Sequence, residues 1–337
     1  MKLAVLNPGG RDPQQDFPDG AGAPNDAVHP PVSGHAFAAC TSGTFFRKDQ
    51  EVPAGQKNAL LLLRDNLKAS RQALMELRSE GKTVAIAWKE AGTLQVAEQL
   101  AKPAAFQLFR EICQRCDGAI ATTLDLVTFF TAAGVNHTEF IPTPSPVDDP
   151  RWDFSTPVEE RRGIFVGTRE FRVPSRNHLA ALLALRQLAA SMFEPITVIN
   201  TDGRRGRGLI ERLGYDPRLL NVIEERLPYS RYLRLVGKHK LVWQLDGSGV
   251  PGQVAGDALL ARVPCVGGNG TTERLVFPEI CGHGRDVEQL FDLAARLLEH
   301  PHDCEAVMQR AVESAKEKIS FTAAAKRLEA FFHRIAR

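Results

Sequence analysis

Short apolar runs of β type alternate with longer stretches of helical rhythm along almost the whole chain. In the first half the strand candidates are KLAVL (2–6), AFAAC (36–40), TVAIAW (83–88), GAIAT (118–122) and TEFIP (138–142). Between them lie stretches such as NALLLLRDNLKASRQALMELRSEG (58–81), read as helical from its recurrent apolar positions. After residue 163 the alternation resumes with GIFVG, ITVIN, NVIEE, KLVWQL and VPCVGG. Strands separated by helices predict parallel sheets with helices on both faces. The intervening PTPSPVDDPRWDFSTPVEERRG (142–163) is Pro-rich, charged and aperiodic, and reads as a hinge. Two α/β halves joined in this way predict a cleft, with ligands at the carboxyl ends of the strands.

Three segments after strands break the pattern. NPGGRDPQQDFPDGAGAPNDAVHPPVSG (7–34) is too rich in Gly, Pro and Asp for a helix, and loops of that length are functional or disordered. NTDGRRGRG (200–208) reads as a basic, solvated loop. LVWQLDGSGVPGQVAGDALLARVPCVGG (241–268) reads as strand, Gly-rich loop, helix and strand. Its loop presents backbone N–H groups and a helix start to an anion, and Asp257, one and a half turns into the helix, is placed to accept hydrogen bonds from neighbouring hydroxyls.

Bulk properties narrow the partners. A chain of 337 residues has room for two domains with their own cores, and 43% apolar with 24% charged residues is ordinary for a globular protein. A formal charge of +2 with both signs interspersed gives no electrostatic footprint for nucleic acid or membrane. No apolar run approaches a membrane span and the start lacks a signal-peptide pattern, so a cytoplasmic location is expected. Cys113 and Cys116 form a C-x-x-C without a second metal-spaced pair, and read as free thiols at a helix end.

The second half resembles the nucleotide-binding domain of retaining GT-B glycosyltransferases, the group that includes glycogen synthase and bacterial cell-surface sugar transferases. DALLARVPCV (257–266) aligns without a gap with that group's Glu-Ala-Met-Ala-x-Gly-x-Pro-Val-Val, and GIFVGTREFRVPSRNHLAALLAL is similar to its opening strand and basic motif. DGAIATTLDLVTFFTAAGVNHTEFIPTPSPVDDPRWDF and the final helices are also similar, so the likeness covers most of residues 117–337. It implies a GT-B fold of two Rossmann-like, doubly wound parallel-sheet domains facing across a cleft. The implied divisions are 1–154 for the acceptor, 155–320 for the donor, and a helix at 321–337 returning to the first.

The resemblance implies that Asp257 binds the donor ribose, and that Arg169, Arg172 and Arg176 face its diphosphate. Asp246, Ser248, Gly249, Val250, Pro251 and Gly252 in one loop, and Gly268, Asn269 and Thr271 in the next, complete the expected donor contacts, with Gly9 and Gly10 approaching from the first domain. The family's first motif glutamate corresponds to Gly249, with Asp246 the nearest carboxylate. Its first-domain histidine has no direct counterpart, and His35, Lys89 and Glu90 are the catalytic candidates. The implied activity is sugar transfer with retention, without a cofactor and, in the absence of an Asp-x-Asp, without a metal. The acceptor is left open among glycans, lipid-linked sugars and small molecules, with modified DNA disfavoured by the near-neutral charge; a homodimer is compatible. A sugar-nucleotide epimerase of the same fold, or a nucleotide- or glycan-binding protein without transfer activity, are the alternative readings.

Overall fold

The computed structural model describes residues 1–25 and 28–336. Two positions of the 10–34 loop, 26 and 27, lie outside the described residues. The chain divides into two compact units, one of Met1–Arg151, Gly249–Pro251 and Lys316–Arg337, the other of Trp152–Ser248 and Gly252–Ala315.

In the first unit the elements are β1 (Ala4–Leu6), β2 (Gln15–Asp16), α1 (Gly34–Ala39), β3 (Thr44–Phe46), β4 (Asn58–Leu63), α2 (Leu67–Ser79), β5 (Thr83–Trp88), α3 (Thr93–Leu100), α4 (Pro103–Arg115), β6 (Gly118–Ala121), α5 (Asp125–Ala132) and β7 (Thr138–Phe140). Its sheet runs β2-β3-β1-β4-β5-β6-β7, all parallel apart from the antiparallel edge strand β2. Alternate strand residues serve two faces. Leu61, Leu63, Ile86, Trp88 and Ala121 join one core with Leu74 and Leu77 of α2, Phe109 and Ile112 of α4, and Phe130 of α5. On the other side lie α1 and α13 (Phe321–Ile335), the chain's last helix.

The second unit contains β8 (Ile164–Val166), α6 (His178–Met192), β9 (Ile196–Ile199), α7 (Gly203–Arg212), β10 (Leu220–Ile223), α8 (Tyr229–Gly237), β11 (Leu241–Gln244), α9 (Gln253–Leu260), β12 (Cys265–Gly267), α10 (Thr271–Val276), α11 (Val287–Glu299) and most of α12 (Pro301–Lys318). Its five parallel strands run β10-β9-β8-β11-β12. The order reverses between β8 and β11, which makes the carboxyl ends of those neighbours the switch point where open α/β sheets bind ligands. In the first unit the corresponding point falls between β1 and β4.

Three expected elements take another form. AFAAC is the buried helix α1 rather than a strand, because a short Ala-rich run carries no period that separates the two. NALLLL is not helical but is β4, paired with β1 and β5 and buried on both faces, where a strand needs an unbroken apolar run. The helix begins only at Asn66, whose side chain accepts the Ala69 N–H at 3.1 Å. GRRGRG opens the helix α7 rather than a loop; Gly206 lies so close to Asn200 that a Cβ would sit 2.0 Å from its Oδ1. The segment expected as a hinge contains short 3-10 turns at Pro150–Trp152 and Val158–Glu160, and it buries Trp152, Phe154 and Arg161.

Candidate functional site

Loops from three carboxyl ends knit together at the switch point of the second sheet. After β8 the chain runs through Thr168–Asn177; after β11 through Leu245–Gly252; after β12 through Gly268–Gly270. The Gly247 N–H donates to the Ser175 carbonyl, Asn177 Nδ2 to the Leu245 carbonyl, and the Asn269 N–H to the Asp246 carbonyl, all at 2.9 Å. Asp246 is the buried centre of this weave. Its carboxylate accepts Arg176 Nη1 at 2.7 Å, the Ser248 N–H at 2.8 Å and the Ser248 hydroxyl at 2.5 Å. The structure thus brings Arg176, Asp246, Ser248 and Asn269 together, with Arg176 committed to a carboxylate.

A second cluster surrounds Asp257, which is 3% exposed. Its Oδ1 accepts the Tyr229 hydroxyl at 2.5 Å and Gln253 Nε2 at 2.7 Å, and Tyr232 adds a further side-chain hydrogen bond. Burial raises the carboxyl to a pKa of about 6, against the lowering effect of those donors and of the Arg169 charge. Arg169 lies over the Tyr232 ring at 5.9 Å, with half of its side chain open to solvent. Arg169 and Asp257 are therefore joined through Tyr232. By contrast Arg172, with a side chain 73% exposed, turns to Asp202 at 3.6 Å, away from the arginines expected beside it.

Between the clusters stands Glu273, on α10 and 2% exposed. Gln244 Nε2 donates to its Oε1 at 2.8 Å, while Oε2 has no partner. Two glycines admit this side chain: a Cβ on Gly252 would meet Oε2 at 2.0 Å, and one on Gly268 would meet Oε1 at 3.0 Å. Burial lifts the carboxyl to about 7. Thr271, at the start of α10, is buried; Val250 and Pro251 are half-buried, and a Cβ on Gly249 would meet nothing.

The first unit has its own polar group at the carboxyl ends of β1, β4 and β5. Lys89 is buried and donates to Asp12 Oδ2 at 2.5 Å; Glu90 is exposed, with a φ of 53°, and pairs with Arg64 at 3.3 Å. Gly9 abuts Asn66, and Gly10 abuts Asn7. His35 is buried between the rings of His29 and Phe45, each centroid 3.8 Å away, and its Nε2 meets the Pro13 carbonyl at 3.0 Å. Burial and the neighbouring His29 depress its pKa to about 4.

Several members of these clusters escaped the sequence reading. Glu273 sat inside a Gly/Thr stretch chosen for its amides, and Tyr229 and Tyr232 were hidden in a helix. The second pair left a signal, since two of the chain's three tyrosines are three residues apart on α8. Cys113 and Cys116 end α4 as free thiols; burial drives both upward, Cys116 to about 12.

The two-sheet architecture defines the class: solved GT-B glycosyltransferases share this fold, as the resemblance implied. Sucrose-phosphate synthase from Thermosynechococcus elongatus superposes with a TM-score of 0.66 at 12% identity, covering 99% of this chain and 99% of that one. An E. coli trehalose-6-phosphate structure bound with UDP-2-fluoro glucose gives 0.62 at 13%, covering 82% and 73%. The UDP-forming α,α-trehalose-phosphate synthase from Burkholderia xenovorans, in complex with glucose-6-phosphate, gives 0.60 at 13%, covering 82% and 72%. No family model and no curated protein matches the sequence. No described helix is long and apolar enough to cross a membrane.

Proposed function

We propose that the protein is a glycosyltransferase that moves a sugar from a nucleoside-diphosphate donor to an acceptor with retention of configuration. The observation that carries this reading is the weave of β8, β11 and β12 loops at a switch point, with the half-exposed Arg169 over Tyr232 beside the Asp257 cluster and paired only loosely, at 3.9 Å, with Glu170. The solved neighbours bound with UDP-2-fluoro glucose and with glucose-6-phosphate support it and make a phosphorylated sugar the first acceptor to try.

Breaking the bond between sugar and diphosphate leaves negative charge on the departing phosphate. Arg169 supplies a half-exposed guanidinium for that charge, and the Ser248–Gly252 loop supplies amides. Arg176 acts at one remove by fixing Asp246 and hence the loop. The ribose meets the Gln253–Asp257 pair, so Asp257 orients hydroxyls through a hydrogen-bonded neighbour as well as directly. With arginine charge at the diphosphate, turnover proceeds without a divalent ion; Lys89, Glu90 and His35 remain the candidates for contact with the acceptor side.

A panel of sugar nucleotides tests the proposal. Transfer to a sugar phosphate, or slow donor hydrolysis, supports it; interconversion of the sugars would point to an epimerase. Gly249, which puts no carboxylate where the family has one, favours a second reading as a binding protein, and that reading predicts affinity for nucleoside diphosphates with no turnover at all.

A further inference from the structure

At the opposite, amino-terminal edge of the second sheet lies a cavity of about 280 Å³. Val158, Leu297, Leu298, Pro301 and Met308 give it apolar walls, and Lys240 and Arg262 lie just before β11 and β12. Arg161 also lines it. Each of the other two cations has a carboxylate: Lys240 pairs with Glu194, and Arg262 with Asp153 at 3.2 Å. Arg161 has none within ion-pair distance among the described residues. It is 7% exposed, and among the described residues its guanidinium donates to the Thr156 carbonyl at 2.9 Å and the Arg262 carbonyl at 2.7 Å. Of the groups around it, Cys304 on the lining is a thiol that burial pushes up to about 11, and Asp153 is already held by the Ser155 N–H at 2.9 Å and by Arg262.

A buried cation without a counter-ion is costly to keep, and backbone carbonyls offset only part of that cost. Here it stands on the wall of an apolar cavity. We propose that this cavity binds an aliphatic monocarboxylate, its head on Arg161 and its tail among Leu297, Leu298, Pro301 and Met308. A single negative charge fits the one uncompensated cation, and Glu305 on the lining disfavours a dianion. The planar guanidinium suits a carboxylate, which it can bind with two parallel hydrogen bonds. The volume of about 280 Å³ lies just below the roughly 300 Å³ at which pockets for drug-sized ligands begin, which limits the tail to a short chain. This site is independent of sugar transfer: its lining comes from the strand edge opposite the Asp246 and Asp257 clusters.

Calorimetric titration of the full chain with octanoate and with 1-octanol tests the charge and the tail separately. Octanoate should bind about tenfold or more tightly than octanol, because the alcohol leaves Arg161 unpaired. Arg161→Lys should keep a preference for the carboxylate and Arg161→Met should abolish it, while Met308→Trp, which fills the cavity, should remove octanoate binding with the fold intact by circular dichroism. Equal binding of the two ligands by the unaltered protein, no octanoate heat up to millimolar concentration, or undiminished binding by Met308→Trp would each overturn the proposal.

Discussion

Glu273 and Asp257 have carboxyls lifted by burial, and each therefore ties stability to pH in a direction that can be worked out. A carboxyl whose folded pKa lies above its unfolded value binds protons more tightly when folded, so it stabilises the fold at low pH and loses that contribution as pH rises toward the folded pKa. For Glu273 the window runs from 4.5 to about 7. Glu273→Gln keeps the acceptor for Gln244 and cannot ionise. Relative to the parent it should gain about 1 to 3 kcal/mol between pH 4.5 and pH 7.5, with any cost of the buried amide constant across the range. Urea midpoints at the two pH values measure this, and a pH-independent difference would count against a buried, ionising Glu273. The two site arginines should separate just as clearly. If Arg169 meets the departing diphosphate as proposed, Arg169→Ala should lower turnover about 100-fold while leaving the melting temperature nearly unchanged, since its side chain is half exposed and its ion pair with Glu170 is long. Arg176→Ala should cost about 1 to 2 kcal/mol of stability, because it strips the cation from buried Asp246. Asp257→Asn, which keeps an acceptor for Tyr229, should weaken nucleoside-diphosphate affinity by about 1 to 3 kcal/mol in calorimetry if the ribose meets this pair.

Among the elements, α13 has the most complete account. Phe321, Ala324, Leu328, Phe331, Phe332 and Ile335 make its buried stripe, and Arg327 and Arg334 reach the Phe140 carbonyl and Glu139 of β7. Phe331 is seated on Gly118 at the start of β6, where a Cβ would lie 2.9 Å from its ring. Phe331→Ala should cost about 3 to 5 kcal/mol and Gly118→Ala about 1 to 3, and the double variant should cost somewhat less than the sum, because it relieves the new methyl's clash with the ring and leaves those with the His137 carbonyl at 2.9 Å and Ile335 at 3.2 Å. Thermal melts of the three variants decide this. The same scale shows what the sequence could convey. Elements with alternation or a clear cap were legible, as in TVAIAW for β5 and the Gly-rich loop before α9. NALLLL was misread because burial on both faces erases the period of a strand, and AFAAC because six buried residues of a short helix look like one. At the site, the loops were legible from Gly and Pro, and Asp257 from its helix position. Its tyrosine cage and the orphaned Oε2 of Glu273 were not, since both depend on α8 and α10 meeting residues far along the chain.

At the scale of the molecule, two units with separate sheets and cores predict separable responses to a ligand. If the donor site belongs to the second unit, saturating nucleoside diphosphate at about 100 times its Kd should raise that unit's stability by about 2.7 kcal/mol. Calorimetry should show the ligand moving one unfolding transition and Phe331→Ala moving the other; a common shift of both by either change would mean that the units unfold as one. Excess chelator should leave turnover intact, and inhibition reversed by magnesium would place a metal in the donor site.

The strand β4 has a consequence outside the folded state. Until β1 and β5 flank it, Asn58–Leu63 is a six-residue segment of one Asn and five apolar residues with no Pro and no charge, the kind that stacks between chains into cross-β aggregates. Its neighbours are Lys57 and Arg64, both exposed in the fold, and a cation at each end makes stacking of identical segments repulsive. Their expected effect falls on synthesis and refolding, while the strand is still unpaired. Lys57→Gln with Arg64→Gln should therefore lower the yield of refolding at micromolar concentration more than it lowers the melting temperature.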